Sequence, residues 1–253
     1  MESDGQVLWL SDEENRLEIL TQIQGWLADP AALDKDTEYL EKSAVRFRFS
    51  AGLAPLTIAL VVLSFFGAGL YAFGDEWILR FTFWDPAAGA ALGGGVYQNI
   101  GAGEYWRLIT PIFIHFGFTH IIFNALWLWY LGTMIERHSG ASRLLALVFF
   151  VGLISNIAQA SMTKGYGVFG GMSGVVFGLL SYVWLAQRMG GNKNYQLSDP
   201  MFLFMTGYML LSTFGLFDWL AGGEIADTAH IAGYIAGMIS ALVIYLFNKP
   251  ANN

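Results

Sequence analysis

The sequence predicts an all-α membrane protein: six transmembrane helices preceded by a small N-terminal cytoplasmic segment. Three observations lead there. Hydrophobic residues make up 55% of the 253 and charged ones 13%, against about 25% charged in an average soluble domain, so the chain lacks polar surface for water. After residue 48, charge-poor runs of near-spanning length succeed one another. No repeat of roughly 20–50 residues relates them, so inverted-repeat transporter symmetry finds no support. The formal charge of −7 argues against a nucleic-acid partner, which needs clustered Lys and Arg. Zero cysteines exclude disulfides, thiol catalysis and thiolate metal sites, and the sequence implies no cofactor and no metal.

Residues 1–48 hold more than half of the 20 acidic residues and read as the cytoplasmic N-terminal segment, with no basic start leading into an apolar run. Residues 6–10 (QVLWL) suit a strand and residues 11–30 a helix, with Ser11 and Glu14 as a capping box and Leu17, Leu20 and Trp26 at helical spacing. One strand and one helix cannot bury a core, so the segment packs on something else or is part of an α/β domain. The membrane domain is placed at 49–248, its six spans at roughly 54–74, 113–135, 144–163, 173–187, 201–217 and 228–248, with a tail at 249–253. Each run can cross a hydrocarbon core of about 30 Å with tilt or local thinning.

Between the first two spans lies a long loop, 75–112, with Trp77, Phe81, Phe83, Trp84, Tyr97, Tyr105 and Trp106. That aromatic density suits a segment lying in the membrane interface, while the Gly/Ala insert at 87–95 reads as a floppy loop. Lys42, Arg46, Arg48, Arg137, Arg143, Arg188, Lys193 and Lys249 fall on one side of the bundle, and only Arg80, Arg107 and Lys164 on the other. The bias puts both termini in the cytoplasm.

The chemistry gathers at one depth. With this topology the second, fourth and sixth helices run from outside to inside. From Ser173 to Arg188 is roughly 22 Å of helix, several ångströms short of the hydrocarbon thickness. The fourth helix therefore starts below the outer surface, and the glycine-rich "GVFGGM" before it is irregular backbone at membrane depth, tolerated only beside a wet cavity or buried in protein. His120 and Asn124, at i and i+4, stand roughly 24 and 18 Å above the inner end of the second helix. His230 stands roughly 28 Å above Lys249. Gly174 and Gly178 make one small-residue face just past the serine, and Gly233 and Gly237 another just past the histidine. Packed together, these faces bring Ser173 within reach of His230, the minimum for an activated nucleophile, with His120 and Asn124 as oxyanion donors. His115 reads as a supporting residue and His138 as a solvated helix end.

These residues resemble a bacterial rhomboid intramembrane serine protease over about 49–248, in "EYWRLITPIFIH", "HIIFNALWLWYLG", "GGMSGVVFG" and "AHIAGYIAG". The resemblance implies a six-helix bundle and a Ser–His dyad without a third carboxylate, hydrolysing peptide bonds in or near transmembrane segments. It makes Ser173 the nucleophile, His230 the base, and His120, Asn124 and the Ser173 amide the oxyanion hole. It gives Trp106-Arg107 a structural role and places Phe177 where relatives often have a tyrosine packed on the histidine. It also implies single-span membrane-protein substrates in a lipid bilayer, and a multi-pass protein of the bacterial inner membrane whose site opens to the non-cytoplasmic side. Two rival readings stand beside it. A small-molecule transporter or channel explains a wet cavity but neither the Ser–His pairing nor the absence of a charge inside a span. A catalytically inactive, substrate-binding relative leaves the intact dyad without a purpose.

Overall fold

The computed structural model describes residues 54–84, 103–163, 168–190, 195–213 and 226–248, with a few positions between 21 and 29. The chain divides into two units, Met1–Ser50 and Ala51–Asn253. In the first, Thr21, Gln24, Gly25 and Ala28 are helical, inside the helix expected there. The expected strand and capping box lie outside the described residues, as do the 87–95 insert and Tyr97.

Among its described residues the second unit is built of helices and their connections, with no strand. Its long helices are α1 (Pro55–Gly69), α2 (Phe118–Ser139), α3 (Ala141–Met162), α4 (Ser173–Arg188), α5 (Asp199–Ser212) and α6 (Asp227–Asn248). Among the described residues, four segments are long and apolar enough to cross a membrane: Pro55–Phe73, Phe118–Ser139, Ala141–Met162 and Asp227–Phe247. With 16 and 14 residues, α4 and α5 fall short of the ~20 that a bilayer core asks of an upright helix. The outer surfaces are apolar, with Phe66, Leu126, Phe149, Leu203 and Ile239 exposed, as befits helices solvated by lipid.

Local chemistry sets the boundaries. Pro55 opens α1, where its missing N–H costs nothing. The next two amides, of Leu56 and Thr57, donate to the buried Glu136 carboxylate at 2.9 and 2.7 Å, and the Thr57 hydroxyl donates to it at 2.7 Å. A charge in the last turn of α2 thus caps the start of α1, which makes the two helices antiparallel neighbours. A single residue, Gly140 at φ +87°, ends α2 and starts α3.

The long loop between α1 and α2 is stapled by the Trp106-Arg107 pair. The buried Arg107 guanidinium donates to the carbonyls of Leu79 (2.6 Å) and Thr82 (3.0 Å) and pairs with Glu104 at 2.7 Å; Trp106 Nε1 donates to the Arg80 carbonyl at 3.1 Å. Its aromatics divide. Trp77, Tyr105 and Trp106 are exposed, as an interfacial segment requires, whereas Phe83 and Trp84 are buried against Phe169 and Ala160. Those two belong to the core because the segment before α4 covers them, a long-range contact invisible to composition.

Candidate active site

Residues 168–171 have no regular structure, and they are held from outside rather than by their own hydrogen bonds. The Gly171 amide donates to the Pro111 carbonyl at 3.0 Å, and the Met172 amide to His115 Nε2 at 3.2 Å. Since that nitrogen accepts, the proton of neutral His115 is on Nδ1, which donates to the Phe113 carbonyl at 3.0 Å. Gly171 sits at φ +127°, a conformation closed to side chains. The chain then enters α4 at Ser173, with no side-chain cap on its leading amides. Amides in a first helical turn have no intrahelical partner, so they remain available at the site.

The seam between α4 and α6 brings serine and histidine together. A β-carbon on Gly233 would run into the Gly174 carbonyl, and one on Gly237 into the Gly178 carbonyl. The two contacts advance in step along both helices, so α4 and α6 are parallel and touch backbone to backbone. Ser181 Oγ closes the seam one turn deeper by donating to the Tyr234 carbonyl at 2.7 Å. At its outer end His230 Nε2 lies 2.7 Å from Ser173 Oγ. The Phe177 ring packs on the His230 imidazole with centroids 4.9 Å apart, and Gln159 Oε1 accepts the Ala229 amide at 3.0 Å, fixing the start of α6.

His120 stands on the other side of Ser173. The point where a β-carbon on Gly171 would sit lies 2.7 Å from His120 Nε2 and 3.6 Å from Ser173 Oγ, so these two atoms lie within about 6 Å of each other on the side that Gly171 leaves bare. Asn124, one turn further along α2, donates its amide to the His120 carbonyl at 3.0 Å, and its buried Oδ1 has no partner. The His115 and His120 rings meet edge to face at 5.1 Å. Beside Ser173 a small recess, with room for about one water, is lined by Ser155, Asn156, Phe169, Gly171 and Ala229. His138 is distant from this group, exposed in the last turn of α2 with its ring against Tyr195.

Four residues escape a reading of motifs alone, as does the partner of a fifth, His115. Ser155, Asn156 and Gln159 line or brace the site from α3; a signal exists, since "SNIAQ" puts three polar side chains into an otherwise apolar span. Asp227 lies one turn before His230, its Oδ1 4.0 Å from Nδ1. His115 acts through a backbone amide 57 residues away, for which the sequence holds no signal.

The rhomboid domain model matches residues 102–247, more than half of the chain. Rhomboid proteases GlpG of Salmonella choleraesuis (strain SC-B67), Salmonella schwarzengrund (strain CVM19633) and Salmonella typhi are each 29% identical to it over 252 residues, covering 93% of this chain and 84% of the relative. The matched region covers Trp106 and Arg107, the α4–α6 seam and each polar residue around Ser173. An apolar helical bundle with that match belongs to the rhomboid family, the intramembrane serine proteases.

Proposed function

We propose that Ser173 is the nucleophile and His230 the general base of this protease, acting on single-span membrane proteins from within a six-span bundle. The observation that carries the proposal is the 2.7 Å contact between Ser173 Oγ and His230 Nε2, made where two helix backbones touch. Attack of Oγ on the scissile carbonyl moves the serine proton to Nε2 and the carbonyl π pair onto oxygen. His120 Nε2, within about 6 Å of Ser173 Oγ across the bare side of Gly171, suits that oxyanion as an N–H donor, and the Ser173 amide and Asn124 complete the donor set. Collapse expels the amine, which takes the proton back from His230, and water releases the acyl group by the same steps in reverse.

The short α4 starts at Ser173, so the reaction lies below the outer surface, with both termini cytoplasmic by the Lys/Arg bias. A peptide bond in a regular helix is shielded by its own turns, so a substrate span must unwind before attack. Gly, Ala or Ser at the cleavage point, with Gly or Pro just beyond, lowers that cost, and the small recess beside Ser173 suits such side chains. Fluorophosphonate labelling tests the assignment without a known substrate. Ser173→Ala and His230→Ala should each abolish labelling and proteolysis, with losses that do not add. Labelling that persists in Ser173→Ala ends the proposal. Mass mapping of a cleaved model substrate should place the cut in its outer third; a cut near the cytoplasmic end contradicts the depth and orientation.

A further inference from the structure

We propose that the Asp227 carboxylate is a positioning group for the base, steadying the Nδ1 side of His230 and favouring the imidazolium that forms as Ser173 attacks. The inference rests on His230 being the general base. If Nε2 is to receive the serine proton, Nδ1 must carry the ring's own proton throughout. Nδ1 is buried and has no hydrogen-bond partner, although His230 is only 4% exposed. A buried N–H without a partner is costly when neutral and costlier in a cation, so the reaction sharpens a need that Ser173, on the opposite nitrogen, cannot meet.

Asp227 is placed to meet it. It lies at i−3 on the same helix face, with Oδ1 4.0 Å from Nδ1. Closing that gap to hydrogen-bond distance takes about 1 Å, within reach of a side-chain rotation. Oδ1 is also 3.0 Å from the Ser212 hydroxyl at the end of α5, which shares its one proton between Oδ1 and the Met209 carbonyl at 2.7 Å and so holds Oδ1 only in part. Other groups among the described residues face the pair. From α4 come Ser173 and the Phe177 ring, from α2 His120, and from α5 Tyr208, which faces Asp227. Asp227 is therefore the anion in this set, and it keeps its charge through the step: the serine proton moves only to Nε2.

A merely structural aspartate, complementing the positive end of α6, predicts a different result. The test uses the full chain in liposomes with a model transmembrane substrate, and reads kcat and the pH dependence of kcat/KM. Asp227→Asn keeps shape and an acceptor for Ser212 but removes the charge. It should lower kcat about tenfold and move the acid limb to lower pH by about one unit, because a neutral neighbour no longer favours protonated His230. Asp227→Glu should keep the limb near its original position. An unchanged kcat and acid limb in a folded Asp227→Asn protein overturns the inference. If that variant does not fold, Ser212→Ala decides: freeing Oδ1 should raise the acid limb, and an unmoved limb overturns the inference. His230→Ala separates the two levels. An inactive His230→Ala beside an unaltered Asp227→Asn removes only the role of Asp227, whereas an active His230→Ala removes the general-base reading itself.

Discussion

Gly171→Ala tests the oxyanion geometry through a residue that makes no polar contact with substrate. Two costs are readable. Alanine at φ +127° is strained, by about 1–3 kcal/mol for a backbone held in so sparsely populated a region. Its β-carbon would stand 2.7 Å from His120 Nε2 and 2.8 Å from Cε1, whereas ordinary contact begins near 3.4 Å, so the imidazole must retreat by roughly 0.7 Å. The methyl group would also crowd the space between His120 Nε2 and Ser173 Oγ in which the oxyanion is proposed to form. A displacement near 1 Å costs on the order of 10²-fold in rate, and loss of one oxyanion donor 10²- to 10³-fold. We expect kcat to fall at least 10²-fold. The assay is turnover of a transmembrane model substrate, with fluorophosphonate labelling and thermal unfolding in parallel. The decisive arm is the double variant. If the methyl group acts by displacing His120 and blocking its oxygen, then adding Gly171→Ala to His120→Ala should cost much less than in the wild-type background. Full additivity, or a Gly171→Ala protein within threefold of wild type, refutes the reasoning.

Three further outcomes are expected. Gly237→Ala drives a β-carbon into the Gly178 carbonyl and should lower stability by more than the 1–3 kcal/mol typical of overpacking, while Gly207→Ala, with open space around it on α5, should be neutral or stabilising by up to ~1 kcal/mol; thermal unfolding in one detergent compares them. Glu136→Gln leaves one acceptor where a carboxylate takes three hydrogen bonds, and should destabilise the protein by on the order of 2 kcal/mol in denaturant titrations without changing KM. Phe177→Tyr should retain most activity, since the ring face on His230 survives, whereas Phe177→Ala should lower kcat about tenfold or more as the imidazole loses its platform; steady-state kinetics separate the two.

Much of this arrangement is legible in the sequence because its determinants are local. The start of α4 at Ser173 follows from the glycines before it, and the α4–α6 seam from two glycines four residues apart on each helix. What escapes reading depends on distant partners. His115 reads as a supporting residue, but what it supports, the Met172 amide, comes from 57 residues away. Phe83 and Trp84 look interfacial until Phe169 covers them. Glu136 reads as the charged end of a span, yet it is buried because the amides of α1 converge on it. Asp227 is a different case, visible at i−3 but unremarkable until the bare Nδ1 of His230 is seen beside it.

The backbone contact between α4 and α6 has a consequence for what this protein can become. In many enzymes the reacting groups sit on loops, and the scaffold can loosen or stiffen while chemistry is tuned separately. Here the spacing of Ser173 and His230 is set within one turn of a backbone contact between helices, that of Gly174 with Gly233. A substitution that relaxes the seam moves the reacting atoms, and one that moves the reacting atoms strains the seam. Directed evolution of this chain should therefore find its freedom on α1, on α5 and in the loop between α1 and α2, and almost none along the four glycines. On heating, activity and the fold of the seam should be lost together, in one transition.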